Sequence, residues 1–204
     1  MSEEPDLRFG ASSRPYVRRE RLRAALDDGR AWRVAVVRAR AGSGKTDGLR
    51  EWSSDRTDVV HVVLEPQHDG PMRFTGALAT ALSASTDVVR SRLEPPGAVG
   101  PAHEVAGSLL AQVTRPSVLV LDSVENLGDP WVLDALDALA RSATERHRIV
   151  LSGRRIPRLV ALAIMRVRDQ VVDVVDADLR LDDDEASALY ELIVGSPPAP
   201  PVLS

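Results

Sequence analysis

Cysteine is absent from the 204 residues. Disulfide scaffolds, zinc–thiolate sites, iron–sulfur clusters and cysteine nucleophiles all need that sulfur, so each is excluded. Aromatic residues are scarce, with three Trp, two Tyr and two Phe, and the core must be built from Val, Leu, Ile and Ala. No run approaches the ~18 consecutive apolar residues that a membrane span requires. The opening MSEEPDLRFG lacks the apolar stretch of a secretory signal. The expectation is a cytoplasmic chain with no membrane contact. A charge excess is missing too: 26 basic against 30 acidic residues leave a net charge of −4. That balance does not describe a nucleic-acid-binding surface, so no DNA binding is expected of this segment itself. The last shortage is lysine. All but one of the basic residues are Arg, and the exception is Lys45.

What is present reads as one α/β domain, which the length suits and which leaves little room for a second. Three β-branched runs stand out, at 33–37, 58–64 and 117–121, with weaker ones at 148–152 and 171–175. The first three are near-continuous in apolar character, the pattern of strands buried on both faces. Between them lie segments with helical spacing: Leu22 with Leu26, Phe74 with Leu78 and Leu82, and the stretches 104–113 and 131–140. Alternation of this kind implies a mainly parallel sheet with helices on both sides. The Pro/Gly-rich stretch 94–101 reads as a surface loop. Asp182 with Glu185 fits a capping box at the start of a last helix, a structural feature rather than a metal site. The expected division is a flexible N-terminus over 1–13, a domain over 14–194, and a Pro-rich linker or tail over 195–204.

Directly after the first strand comes Ala39-Arg-Ala41-Gly42-Ser43-Gly44-Lys45-Thr46, followed by a helical run to Trp52. It matches the phosphate loop G-x-x-x-x-G-K-[ST], with Ala39 in place of the first Gly. Gly42 and Gly44 let the backbone wrap so that several N–H groups converge on one phosphate, and the following helix aims its positive end there. Lys45 supplies a mobile ammonium for the outer phosphates, and the Thr46 hydroxyl suits Mg²⁺. As a loop cation Lys45 is expected to be exposed, so that Lys45→Ala abolishes ATP binding and leaves the fold intact. The second half of such a site is an acid ending another buried strand. Asp122, after Val118-Leu-Val-Leu121, is the candidate that holds the metal.

Five groups of residues carry a resemblance: Arg18-Arg19-Glu-Arg-Leu22; Ala39 to Thr46 with Trp52; Val63-Leu64-Glu65 with Asp69 and Phe74; Val118 to Asp122; and Leu151-Ser-Gly-Arg154-Arg155 with Pro157-Arg-Leu159. Together they resemble the STAND-type P-loop NTPase domain, specifically the ATPase module of large LuxR-type, maltose-regulator-like transcriptional regulators, over roughly residues 14 to 192. The resemblance implies a three-layer α/β/α sandwich with a five-stranded sheet of order 5-1-4-3-2, and an ATP- and Mg²⁺-dependent switch. It places Arg18 and Arg19 near the adenine, and Arg154 or Arg155 as the sensor of the outer phosphate. It also implies further parts in the longer regulators: a winged-helix lid, a superhelical sensor and a C-terminal helix-turn-helix.

Two positions depart from that pattern. The acid usually found after the Mg²⁺ ligand is here Ser123, and a hydroxyl cannot accept a proton near neutral pH as a carboxylate can. Glu125 takes that role only if the chain turns after Asp122. Asp47, where Thr is more usual, stabilises the empty helix terminus but repels bound phosphates. Both changes point to slow hydrolysis or weak binding. The expectation is therefore an ATP-binding regulatory module in which Glu125 and Arg154 serve catalysis. Residues 41–47 with Arg18 and Arg19 hold nucleotide, and Thr46 and Asp122 hold Mg²⁺. Self-association or an effector protein is the expected partner beyond nucleotide. The alternatives are a degenerate, non-catalytic interaction module and a small-molecule P-loop kinase. A common GTPase is excluded, because its N-K-x-D motif needs a second lysine.

Overall fold

The computed structural model describes residues 16–27, 31–84 and 100–196. The expectations for 1–13, for most of the 94–101 loop and for the tail beyond 196 fall outside them. In chain order the elements are α1 (Glu20–Asp27), β1 (Val34–Arg38), α2 (Lys45–Ser53), β2 (Val59–Val63), α3 (Pro71–Ala84) and α4 (Ala102–Ala111). There follow β3 (Ser117–Asp122), α5 (Pro130–Ser142), β4 (His147–Gly153), α6 (Val160–Val167), β5 (Val171–Val175) and α7 (Asp183–Val194). The five strands form one parallel sheet, β5-β1-β4-β3-β2.

Strand side chains alternate between the two faces, and each face carries its own core. Val34 and Val36 of β1, Leu119 and Leu121 of β3, and Ile149 and Leu151 of β4 pack with α3 to α6. Ala35, Val37, Val118, Val120 and Val150 meet Leu22 and Leu26 of α1 and Leu49 and Trp52 of α2. β1 and β3 are buried on both faces as their runs predicted. β2 departs from that prediction: its burial alternates, because it is an edge strand paired with β3 alone. The weaker run at 148–152 is instead central, as β4. Helix α6, which periodicity did not signal, presents Leu162 and Met165 to the core while Val160, Ile164 and Val167 stay exposed.

The register brings three strand ends level. Arg38 of β1 pairs with Gly153 of β4, and Asp122 of β3 pairs with Ser152. Asp122 has the parity of Val118 and Val120, so it belongs to the face that carries α2. Helices α1 and α7 meet on this face. The capping box forms as its spacing predicted, with Asp182 Oδ1 accepting from Glu185 N at 2.8 Å. The other arm has Glu185 Oε2 accepting from Asp182 N at 3.1 Å. Glu185 Oε1 also accepts from Glu20 N at 2.9 Å, so one buried carboxylate ties the starts of α1 and α7 together. Removing it leaves two backbone donors unpaired at an interface. Glu185→Ala is expected to lower stability by about 1–3 kcal/mol, read as an earlier urea midpoint at unchanged slope.

Candidate functional site

The loop between β1 and α2 turns on two glycines in the left-handed region, Gly42 at φ 77° and Gly44 at φ 78°. Gly44 caps α2 without any side-chain hydrogen bond, which leaves the first-turn N–H groups of α2 for another acceptor. Close approach adds a second constraint at Gly44. A Cβ there would lie 2.6 Å from Arg19 Nη2. Arg19 reaches this point because Gly48 lets α1 press against α2, Leu22 standing 2.8 Å from where a Gly48 Cβ would be. Arg19 Nη1 also donates to Leu179 O at 2.8 Å. Arg18, expected beside it, instead faces solvent and pairs with Glu20. Asp47 is exposed in the first turn of α2.

Lys45 corrects the expectation of an exposed cation. It is 9% exposed, and its Nζ donates to Ala39 O at 2.7 Å and Arg40 O at 2.8 Å. The ammonium thus closes the loop on itself, and Lys45→Ala removes an internal tie as well as a ligand for anions.

Asp122 ends β3 at 1% exposure. Its Oδ2 accepts from Thr46 Oγ1 at 2.6 Å, and its Oδ1 accepts from Ser123 N at 2.9 Å. Burial pushes its pKa up, but the polar neighbours His61, Ser152 and Thr46 outweigh this and hold it at about 2. Of the three, Thr46 makes the close contact; His61 Nε2 stands 3.9 Å away. The carboxylate is ionised at neutral pH. With the Thr46 hydroxyl it forms a hard, all-oxygen, anionic donor pair, which fits Mg²⁺ and does not fit a softer metal.

Past Asp122 the chain does turn. Ser123 adopts φ 66° and a 3₁₀ turn spans Val124–Asn126. The turn is pinned from β2's side, where Asn126 Nδ2 donates to Leu64 O at 2.8 Å. Asp69 Oδ1 accepts from Gly128 N at 2.9 Å and Asp129 N at 2.8 Å. Glu125 is thereby brought to the end of β4. Its Oε1 accepts from Arg154 Nε at 2.8 Å, while its Oε2 is buried with no hydrogen-bond partner. Arg154 lines an open cleft of about 470 Å³ with Arg38, Ala39, Arg40, Arg155 and Asp176. Arg40, in the glycine loop, is itself held by Asp176, which accepts from its backbone N at 3.1 Å. The structure thus gathers Arg19, residues 41–46, Asp122, Glu125 and Arg154 around the C-terminal ends of β1, β3 and β4, and leaves Arg18 outside. Sequence reasoning missed Leu179, whose role is played by a backbone carbonyl that no side-chain pattern marks.

No family model matches the chain. It is 27% identical, over 88% of its length, to an HTH-type transcriptional regulator, MalT, of Klebsiella pneumoniae. It spans 20% of that regulator. Among solved structures it is similar to a STAND protein with a tetratricopeptide repeat sensor from Pyrococcus horikoshii, with a TM-score of 0.57 and 17% identity over 93% of this chain and 28% of that one. It is also similar to a Walker-type ATPase of Pyrococcus abyssi, with a TM-score of 0.50 and 13% identity over 88% and 60% of the two chains. The fold defines a class: the α/β three-layer fold of P-loop NTPases. Its particular likeness is to the modules of MalT-type regulators.

The Thr46–Asp122 bond joins the start of α2 to the end of β3. Thr46→Val leaves a buried, ionised carboxylate short of its closest donor. The expected cost is about 1–3 kcal/mol in the ligand-free protein, measured by urea denaturation, whereas Thr46→Ser should cost much less.

Proposed function

We propose that this chain is an ATP-binding regulatory module, a nucleotide-dependent switch within a LuxR-type transcriptional regulator, in which hydrolysis is slow. The observation that carries the reading is the Thr46–Asp122 contact at 2.6 Å, which brings the glycine loop and the strand-end acid together as a nucleotide–metal site requires. The left-handed glycines and the uncapped first turn of α2 receive phosphate oxygens on backbone N–H groups. Lys45 exchanges its two carbonyl partners for phosphate oxygens. Thr46 and Asp122 would hold Mg²⁺, which would supply charge neutralisation at the outer phosphates. In this reading Arg19, beside Gly44, takes the nucleotide end of the loop, and Arg154 takes the outer phosphate.

Slow turnover follows from two features. Ser123 offers no carboxylate to orient or deprotonate a water, and Glu125, the nearest replacement, is engaged by Arg154. DNA contact and signal recognition would fall to other parts of a longer cytoplasmic regulator, with a second copy or an effector protein as the partner. The reading of a decayed interaction module draws on the same Ser123 and on Asp47.

Calorimetry with ATP and Mg²⁺ separates the two. Binding by the wild type, lost in Lys45→Ala, supports the switch; no binding by the wild type supports the decayed module. Asp122→Asn should weaken binding more with Mg²⁺ than with EDTA, and equal losses would remove Asp122 from the metal site. Ser123→Asp suits the φ of 66°, since Asp tolerates the left-handed region better than most residues. It should raise single-turnover hydrolysis by about 10²-fold or more, the usual scale of general-base assistance. An unchanged rate would show that the missing acid is not what limits turnover.

A further inference from the structure

Glu125 and Arg154 were expected to act separately, one on water and one on phosphate, yet the structure spends each on the other. Arg154 Nε donates to Glu125 Oε1 at 2.8 Å. The pair is asymmetric in exposure: the Glu125 side chain is 11% exposed and Arg154 58%. The carboxylate is anchored by the pinned turn and by its fit against Gly153, where a Cβ would come within 2.5 Å of Oε2. The guanidinium is the partner free to move. It also borders the glycine loop, because Ala39 N donates to Gly153 O at 3.3 Å, one residue before Arg154, and Ala39 and Arg40 share its cleft. The fixed acid leaves its other oxygen unpartnered, so a ligand that takes Arg154 must outcompete the carboxylate's one side-chain donor.

From this geometry we infer that Glu125 is a specificity-determining residue, which sets the preference between ATP and ADP by competing with the outermost phosphate for Arg154. The inference deepens the nucleotide reading above and rests on it. A nucleoside triphosphate must draw the guanidinium off Glu125 to gain its contact. A diphosphate does not extend to Arg154 and leaves the pair closed. The competition therefore weakens ATP binding selectively, and it keeps the carboxylate neutralised until a triphosphate is in place. Glu125 acts through Arg154, as a positioning residue.

The test compares affinities for ADP and for a non-hydrolysable ATP analogue, both with Mg²⁺, by calorimetry on wild type, Glu125→Gln, Arg154→Gln and the double variant. Glu125→Gln keeps the shape of the side chain and removes the charge. It should tighten binding of the ATP analogue about two- to fivefold, the scale of a partly exposed ion pair, and leave ADP affinity unchanged. In the Arg154→Gln background the same substitution should change neither affinity. Should Glu125→Gln fold poorly, Glu125→Asp, which is too short to span the pair, replaces it with the same expectation. Equal tightening of both nucleotides, or a gain that persists without Arg154, would show a general charge effect and overturn the competition. Binding of both nucleotides at an unaltered ratio would overturn it and spare the nucleotide reading. Binding of neither nucleotide by the wild type would overturn both.

Discussion

The site depends on keeping one buried carboxylate charged. Asp122 lies at 1% exposure, where an unpaired charge would cost several kcal/mol. Its position is secured by the Thr46 hydroxyl and the Ser123 amide, and each of these has a structural consequence. The hydroxyl belongs to the first turn of α2, so satisfying Asp122 fixes where the helix starts and where the glycine loop must end. The amide is aimed by the left-handed turn at Ser123, and that turn sends the chain toward β4 and delivers Glu125 to Arg154. The loop, the strand end and the Glu125 pair are therefore one arrangement with a common cause.

A second regularity is that four positive groups around the loop are engaged. Lys45 is held by two loop carbonyls, Arg19 by Leu179 O, Arg154 by Glu125 and Arg40 by Asp176. An anion that reaches one of these four does not meet a bare cation; it displaces a partner. Net affinity falls by whatever those partners contributed, and discrimination rises, because only a ligand that reaches a given cation recovers the cost of freeing it. Differential contact of this kind is what a ligand needs to shift an equilibrium between two states. A site built for tight, unconditional binding would leave its cations unpaired.

The division between what the residues announced and what they hid is physical. Asp122 was legible because four apolar residues before it fix both the strand and its end. The glycine loop was legible because left-handed backbone restricts residue choice and the lone lysine marks its slot. Glu125 was legible as a conditional, the condition being the turn. Three things were not. Arg18 and Arg19 are adjacent and chemically equal, and only the phase of the segment entering α1, set by Glu51 and Glu185 contacts from elsewhere in the chain, decides which one faces Gly44. The buried state of Lys45 depends on loop carbonyls, which every residue has. The alternating burial of β2 follows from its edge position, which the resemblance gave through the order 5-1-4-3-2 but a local run of apolar residues does not encode.

The same tie that chooses Arg19 also links the site to the last helix. Arg19 touches the glycine loop on one side and Leu179, ahead of α7, on the other. One residue later the backbone of Glu20 is bound by Glu185 of α7. Helix α7 buries little else: Tyr190, Leu192, Ile193 and Val194 are all exposed. Its position relative to the sheet is thus set mainly by polar contacts at its N-terminal end, not by an apolar core. Polar, directional contacts of that sort are lost when their geometry shifts by about an ångström, whereas apolar packing degrades gradually with lost contact area. Arg19 and the Glu185 clasp therefore share the few contacts that orient α7 against the glycine loop.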